Sequence, residues 1–204
     1  MAAIKNIIFD LGGVLLNIDY NKTFAAFKAL EVENIEQMYG QHHASELFEK
    51  LETGKISEQD FYATVKKYIP QAVSDEQVAE AWDAMILDLR MESLQALEAL
   101  AKDHRLFLLS KTNSIHMKRL LQVVARDTGK ASLDGYFSRS WYSHLIGLRK
   151  PDKAIYEFVL QEENLKAEET FFIDDTEENI TTANEMGIKT HLLLPGERIE
   201  TLRF

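Results

Sequence analysis

The fold is decided by residues 4 to 16, which read IKNIIFDLGGVLL. In this stretch an apolar run that ends at Phe9 leads directly to the carboxylate Asp10, and Gly12 and Gly13 follow. Short apolar runs that are bounded by glycine turns are typical of buried strands. The stretch therefore predicts a buried strand that delivers Asp10 to a turn, where Asp10 is either a simple turn residue or a reactive group.

The composition restricts the class of protein. The chain has 204 residues, of which 46% are hydrophobic, and this is enough for a substantial core with a small second unit. There is no cysteine, which excludes disulfides, a thiolate nucleophile and a sulfur-ligated metal, and is typical of a reducing compartment. The formal net charge of -10 argues against a nucleic-acid or anionic-membrane partner.

The amino terminus carries no recognisable export signal. Residues 1 to 5 lead into an apolar run of about five residues, which is much shorter than a secretory or membrane-spanning segment. We therefore expect a cytoplasmic protein that binds a small molecule and is a monomer or a weak homo-oligomer.

Residues 17 to 87 carry helical patterns and no obvious strand. Ser74 and Gln77 form a capping-box pattern, which predicts the start of a helix with one apolar face. That face is predicted to comprise Val78, Trp82, Met85 and Leu89. We interpret the whole segment as an inserted helical unit.

Strand and helix patterns alternate after this insertion. Apolar runs at 106–109, 170–173 and 190–194 predict strands, and helical patterns lie between them. This alternation predicts a doubly wound α/β fold, in which helices cover both faces of a mostly parallel sheet. The predicted domains are an α/β core at 1–16 and 88–204 and a helical cap at 17–87.

Asp10, Ser110 and Asp174 each stand where a predicted strand ends. The carboxyl ends of parallel strands meet at one edge of a sheet, and ligands bind in the crevice there. These three side chains should therefore converge. Asp175 follows Asp174 directly and adds another carboxylate to the same crevice.

Several carboxylates in one crevice repel each other unless they share a proton or a cation. Oxygen ligands without histidine or cysteine favour Mg²⁺. Ser110 adds a hydroxyl at the start of a predicted helix, and Lys150 adds a positive charge that suits a phosphate. The set predicts phosphoryl transfer through an aspartyl-phosphate on Asp10.

Each of these residues also has a structural interpretation. Asp175 or Ser110 could cap the helix that follows it, and Lys150 could be an ordinary solvated side chain. The asparagines near the site are expected at turns or helix termini, namely Asn113, Asn179 and Asn184.

The segments FDLGGVLL, LLSKTN, GLRKPD and FFIDDTEENI resemble, in order and spacing, the four motifs of haloacid-dehalogenase-superfamily phosphatases. The helical insertion resembles the cap between the first and second motifs of that superfamily. The chain is similar, more closely, to bacterial phosphatases of the α-D-glucose-1-phosphate phosphatase type. The resemblance implies a Rossmann-like core, Mg²⁺ as cofactor and a phosphorylated metabolite, such as glucose 1-phosphate, as substrate.

The resemblance also implies a metal site and a nucleophile. Asp10 would be the catalytic nucleophile and a metal ligand, and the backbone carbonyl of Gly12 would be a second ligand. Asp174 would bind the metal directly, and Asp175 would bind it directly or through water.

On the phosphate side, the resemblance makes Ser110 the phosphate-binding hydroxyl and Lys150 the lysine that bridges phosphate and nucleophile. Lys111 stands where similar sequences have asparagine, and we expect it to add a positive charge to the substrate-binding set. The cap is expected to cover the rest of the substrate. Its possible contacts are Tyr20, His42, His43 and Arg149.

Gly12 departs from the superfamily pattern, in which a second aspartate serves as general acid and base. The loss of a general acid typically costs about 10² to 10⁴ in rate, and it costs less when the leaving group is acidic, as in a sugar 1-phosphate. We expect water, or Asp19, to transfer the proton. Two other functions stay open, a metal-independent dehalogenase and a non-catalytic regulator that binds sugar phosphates.

Overall fold

The computed structural model describes residues 3–32, 35–39 and 44–203. Its centre is a parallel sheet of five strands. The strands of this sheet are β1 (Asn6–Phe9), β4 (Arg105–Ser110), β5 (Arg139–Tyr142), β6 (Thr170–Asp174) and β7 (Lys189–Leu192). They run in the spatial order β5-β4-β1-β6-β7, so that β1 lies in the middle between β4 and β6.

Alternate residues of the central strands face opposite sides of the sheet, as the pleat of a strand requires. Ile7 and Phe9 belong to the larger apolar cluster, and Ile8 belongs to the second cluster on the other face. Two helices pack on each face. They are α6 (Met91–Leu100) and α7 (Ser114–Thr128) on the first face, and α9 (Lys153–Glu162) and α10 (Glu177–Glu185) on the second. Both faces of the sheet are therefore covered, and the predicted doubly wound α/β class is confirmed.

The segment between β1 and α6 is mainly helical, and we call its helices, residues 20–83, the cap. They are α1 (Tyr20–Ala29), α2 (Ile35–Met38), α3 (Glu46–Glu52), α4 (Glu58–Val65) and α5 (Asp75–Asp83). The predicted capping box is present, because the Ser74 hydroxyl accepts from the Gln77 amide and the Gln77 side chain accepts from the Ser74 amide.

A short antiparallel pair of strands connects the cap to the core, and the helical pattern did not predict it. It pairs β2 (Leu16–Ile18) with β3 (Ile86–Leu89). The prediction that Met85 and Leu89 continue the helix of Trp82 is therefore wrong, since α5 ends at Asp83. Pairing with β2 outweighs the local helical spacing, because strand formation depends on partners that are distant in sequence.

The edge strand β5 was also absent from the sequence prediction, because its sequence RSWY carries no apolar run. The predicted domain boundaries, at 16/17 and 87/88, fall inside β2 and β3, and the division into two domains stays a prediction. In the described ranges, no helix combines the length and the apolar character that crossing a membrane requires. Compartment and oligomeric state stay predictions.

Candidate active site

The carboxyl ends of two adjacent strands, β1 and β6, bring together the acids that the sequence singled out. Asp10 directly follows β1, and its amide donates to the carbonyl of Ile173 in β6 at 2.9 Å. Asp174 is the last residue of β6, and Asp175 comes next. Each of the three aspartates offers a carboxylate oxygen within 4.8 Å of the others.

Lys150 lies between two of these carboxylates. Its Nζ donates to Asp10 Oδ1 and to Asp174 Oδ2, each at 2.6 Å, and the side chain is only 1% exposed. Burial by itself lowers the pKa of a lysine, but the attraction of Asp10 and Asp174 outweighs burial and raises the pKa of Lys150. The alternative of a solvated lysine is therefore wrong.

Asp174 is fully buried and is held by donors from the start of α10. Its Oδ1 accepts from the Thr176 amide at 2.8 Å, and Asn179 Nδ2 lies 3.0 Å from each carboxylate oxygen. The sequence prediction left Asn179 as a turn or helix-terminus residue and so missed this role. Its position five residues after an acid, on the buried face of the next helix, was the available signal.

Asp175 packs against the glycine turn that follows the nucleophile strand. Gly13 has φ +73°, and a Cβ at this position would overlap the Asp175 carboxylate. The left-handed conformation and the close contact together require glycine here. Thr176 occupies the N-cap position of α10, without a capping hydrogen bond from its side chain, so Asp175 lies one residue before the position that the capping alternative required.

The electrostatics of the acid cluster favour a cation. Burial raises the pKa of Asp10 to about 7, Lys150 opposes this shift, and Asp174 and Asp175 reinforce it. Burial and the neighbouring Asp174 likewise raise the pKa of Asp175. The positive charge of one lysine therefore does not neutralise the negative charges of three aspartates. A hard divalent ion with oxygen ligands fits this donor set.

Asp10 and Asp175 open onto a small cavity of about 70 Å³, whose other polar wall comes from the end of β4 and the loop after it. Ser110, Lys111 and Thr112 line it, and Ser110 is 3% exposed. Asn113 caps α7, since its Oδ1 accepts from the amides of Ile115 and His116. Ser110 is thus not the cap of that helix, and the capping alternative is wrong for it too.

Gly12 also lines the cavity, where it faces Ile18 of β2. A Cβ at Gly12 would lie 3.1 Å from Ile18 Cδ1, so a larger residue would require this side chain to shift. Asp19 caps α1, where its Oδ1 accepts from the Asn21 amide at 3.0 Å, and it is not among the described residues that line the cavity. The structure therefore gives no support to Asp19 as the proton donor.

The cap side of the cavity is mainly apolar and aromatic. Tyr20 and Tyr39 come from the cap, Ile18, Met85 and Ile86 lie in or next to the strand pair that connects the cap to the core, and His116 and Leu120 come from α7. Arg149, a predicted substrate contact, instead pairs with Glu49 and Glu52 of α3. The other predicted cap contacts, His42 and His43, lie outside the described residues.

Carboxylates, a hydroxyl and a buried lysine that meet at one sheet edge define a Rossmann-like enzyme with room for a divalent cation and an oxyanion. The chain belongs to the haloacid dehalogenase-like hydrolase family, whose model matches residues 4–187. The predicted family is thereby confirmed.

Named relatives extend over nearly the whole chain. A D-ribitol-5-phosphate phosphatase of Bacteroides thetaiotaomicron is 29% identical over 187 residues, which cover 92% of this chain and 90% of the relative. A sesquiterpene phosphatase of Aspergillus oryzae is 28% identical over 186 residues, which cover 90% of this chain and 87% of the relative. Among solved structures, a HAD family enzyme of B. thetaiotaomicron, an alanine variant in complex with magnesium and inorganic phosphate, has a TM-score of 0.90 and 31% identity, with 97% of each chain covered.

Proposed function

We propose that this hydrolase is a Mg²⁺-dependent phosphatase that cleaves a small phosphorylated sugar or polyol through an aspartyl-phosphate on Asp10. The observation that carries the proposal is the Lys150 ammonium, held at 2.6 Å from both Asp10 and Asp174 at the edge of a cavity that Ser110 also lines. The predictions of phosphatase chemistry and of magnesium are confirmed by the relatives, one of which was crystallised with magnesium and phosphate.

Asp10 is the nucleophile in this proposal. Its carboxylate attacks the phosphorus atom, the bond to the leaving oxygen breaks, and the phosphoryl group stays on Asp10 until water releases it. Lys150 holds the Asp10 carboxylate in place and neutralises charge on the phosphoryl oxygens. Ser110 and Lys111 donate to the same oxygens from the opposite wall of the cavity.

The metal would be held by the carboxylates of Asp10 and Asp174, by the carbonyl of Gly12, and by Asp175 directly or through water. When bound, Mg²⁺ supplies charge neutralisation for the phosphoryl oxygens. Asn179 and the Thr176 amide fix the Asp174 carboxylate for this task, because their hydrogen bonds set its orientation.

The substrate class is argued from the leaving group. Gly12 provides no acid to protonate the leaving oxygen, so water carries that proton and an acidic leaving group, such as the anomeric oxygen of glucose 1-phosphate, is favoured. The D-ribitol-5-phosphate phosphatase points to a related polyol with a less acidic leaving oxygen. The two substrates therefore test how much the missing acid matters.

The test is phosphate release from glucose 1-phosphate, glucose 6-phosphate, ribitol 5-phosphate and a sesquiterpenyl phosphate, with Mg²⁺ and with a chelator. Asp10→Asn is the inactive reference, and Asp103→Asn, at an exposed turn, is the control. We expect Mg²⁺-dependent release that Asp10→Asn abolishes.

Three results would count against the proposal. Release that survives Asp10→Asn excludes Asp10 as the nucleophile. Hydrolysis of a 2-haloacid that persists in chelator favours the dehalogenase alternative. Tight binding of sugar phosphates without any release favours a non-catalytic regulator.

A further inference from the structure

We infer that Arg149 is a positioning residue, which ties the cap to the catalytic lysine through a buried ion pair with Glu52. The inference rests on the proposed function, since it concerns the same site. Arg149 immediately precedes Lys150 in the chain. The two side chains serve different regions, because Lys150 binds the acids of the sheet and Arg149 binds a helix of the cap.

Arg149 pairs with two acids of α3, with Glu49 through a hydrogen bond and with Glu52 through charge attraction at short distance. Its Nη1 lies 2.6 Å from Glu49 Oε1, and its Nη2 lies 3.0 Å from Glu52 Oε2. The side chains of Arg149 and Glu52 are 14% and 2% exposed, so this ion pair is screened little by solvent. A guanidinium can make two such contacts in a fixed geometry, and an ammonium cannot.

Glu52 also contacts a residue that lines the cavity. Its Oε1 accepts from the Tyr39 hydroxyl at 3.1 Å, and Tyr39 lines the cavity together with Asp10. The Tyr39 ring lies against Tyr20, another lining residue, with ring centroids 6.1 Å apart. Arg149, Glu52 and Tyr39 therefore form a continuous set of contacts, which we call the clamp.

A second contact places the cap on the same core loop. Gly54 follows α3 with φ +65°, and a Cβ there would overlap the carbonyl oxygen of His144. His144 belongs to α8 (Ser143–Ile146), the helix from which the chain continues to Lys150. The cap thus contacts the segment that carries the lysine at two points, and movement of α3 would displace that segment.

The consequence is that cap placement and lysine placement are coupled. With the clamp formed, Lys150 is aligned and the cap shields the phosphorylated nucleophile from solvent. With the clamp broken, both are disturbed together. A cap–core ion pair that involves neither Arg149 nor Glu52 serves as the control, namely Lys118–Glu58 at 2.6 Å, in which the Lys118 side chain is 68% exposed.

The experiment compares wild type, Arg149→Lys, Glu52→Gln, the double variant and Lys118→Met with the preferred substrate. We expect each clamp variant to lower kcat/KM between about 10- and 100-fold, since small misplacements of catalytic groups cost this much. The double variant should be no worse than the poorer single variant, and Lys118→Met should stay within about twofold of wild type.

A partition measurement separates positioning from simple loss of stability. In the presence of glycerol, the phosphoryl group on Asp10 is transferred either to water, giving phosphate, or to a glycerol hydroxyl, giving glycerol phosphate. The Asp10 carboxylate is regenerated in both cases. A loosened cap admits glycerol, so the glycerol phosphate fraction should rise in Arg149→Lys and Glu52→Gln and not in Lys118→Met. Destabilised but correctly aligned enzyme would keep the wild-type fraction.

Hydrogen exchange supplies a readout that needs no turnover. In Glu52→Gln, amides of both the cap turn, 52–56, and the loop 147–153 should exchange faster than in wild type. Faster exchange confined to the cap turn, or an unchanged partition with active wild type, would overturn the clamp. Absence of phosphate release by wild type counts instead against the proposed function, and the exchange result still decides the coupling.

Discussion

The two walls of the cavity differ in how they are built. On the sheet side, charged groups are buried and each is held by short polar contacts, as between Lys150 and Asp174 at 2.6 Å. On the cap side, the Tyr39 ring lines the cavity and packs against the rings of Trp82 and Phe48 behind it, with centroids 4.5 and 4.9 Å away. Hydrogen bonds fix atoms in one geometry, whereas ring packing tolerates small shifts.

This difference separates two tasks. The sheet side aligns atoms for a reaction whose geometry does not vary between phosphate esters. The cap side excludes water and accommodates a leaving group whose shape varies between substrates. Substitutions on the sheet side should therefore change turnover, and substitutions on the cap side outside the clamp should change stability or substrate preference.

The strongest test of the sheet side is Asp10→Asn. We expect turnover to fall at least about 10⁴-fold, because an amide cannot form the covalent intermediate. The folded protein should persist, since the change removes one of three clustered carboxylates. Phosphate release and the midpoint of thermal unfolding measure the two effects.

A result that contradicts this prediction would be unfolding at room temperature. It would mean that the Asp10 carboxylate is needed to neutralise Lys150 and that Asp174 alone does not suffice.

Lys150→Met comes next in size. We expect kcat to fall about 10²- to 10³-fold, as when one oxyanion-stabilising group is removed. Stability should fall too, because Asp10 and Asp174 lose their buried counter-ion, a loss that costs about 3–5 kcal/mol in buried pairs. Phosphate release and denaturant unfolding are the measurements.

Lys153→Met is the matched control, because Lys153 pairs with Glu185 at the surface, where both side chains are more than half exposed. It should change neither quantity appreciably. Equal losses in the two variants would show that Lys150 acts as a general surface charge, contrary to its placement.

Asn179→Ala tests the support of the metal ligand. Without the amide, Asp174 keeps the Thr176 amide and Lys150 but loses the donor that contacts both of its oxygens. Loss of such an outer contact typically lowers metal affinity or activity about 10- to 100-fold. The Mg²⁺ concentration that half-saturates activity should rise, whereas Thr182→Ala, on an exposed part of the same helix, should leave it unchanged.

The sequence predicted the candidate site residues best where they lie at the carboxyl ends of strands. Asp10, Ser110 and Asp174 were predicted to converge because parallel strands share an edge, and the structure places them at that edge. Asn179 was missed, since its spacing of five residues from Asp174 was the available signal and is shared by many ordinary helical asparagines. Its role depends on which side of α10 faces Asp174, and only tertiary packing decides that.

Non-local pairing explains the other omissions. The pair of β2 and β3 joins segments separated by the whole cap, and strands of only three and four residues are too short to show a clear pattern of their own. The ion pair of Arg149 with Glu52 likewise joins residues that are distant in sequence and belong to different predicted domains. Arg149 was expected to contact substrate, and its charge alone does not reveal which acid it meets.

The smallest effect is expected at the junction of cap and core, where Asp83 Oδ1 lies 3.9 Å from His116 Nε2. Burial raises the pKa of Asp83 to about 7 and lowers the pKa of His116 to about 4. The Asp83 contribution to stability is fully present below pH 3.8 and is lost as pH rises through about 7. The His116 contribution is present above pH 6.5 and is lost as pH falls through about 4, so the two oppose each other between these limits.

Asp83→Asn should remove only the first of these contributions. We expect the variant to be more stable than wild type at pH 8 by roughly 1–2 kcal/mol, which allows for solvent screening of a partly exposed carboxyl. The difference should vanish near pH 4, where Asp83 is protonated in wild type, and turnover at neutral pH should change little because Asp83 does not contact the acid cluster. Urea unfolding from pH 4 to 8 measures the difference. A stability gain that is independent of pH would indicate that shape, and not the buried charge, limits packing where the cap meets α7.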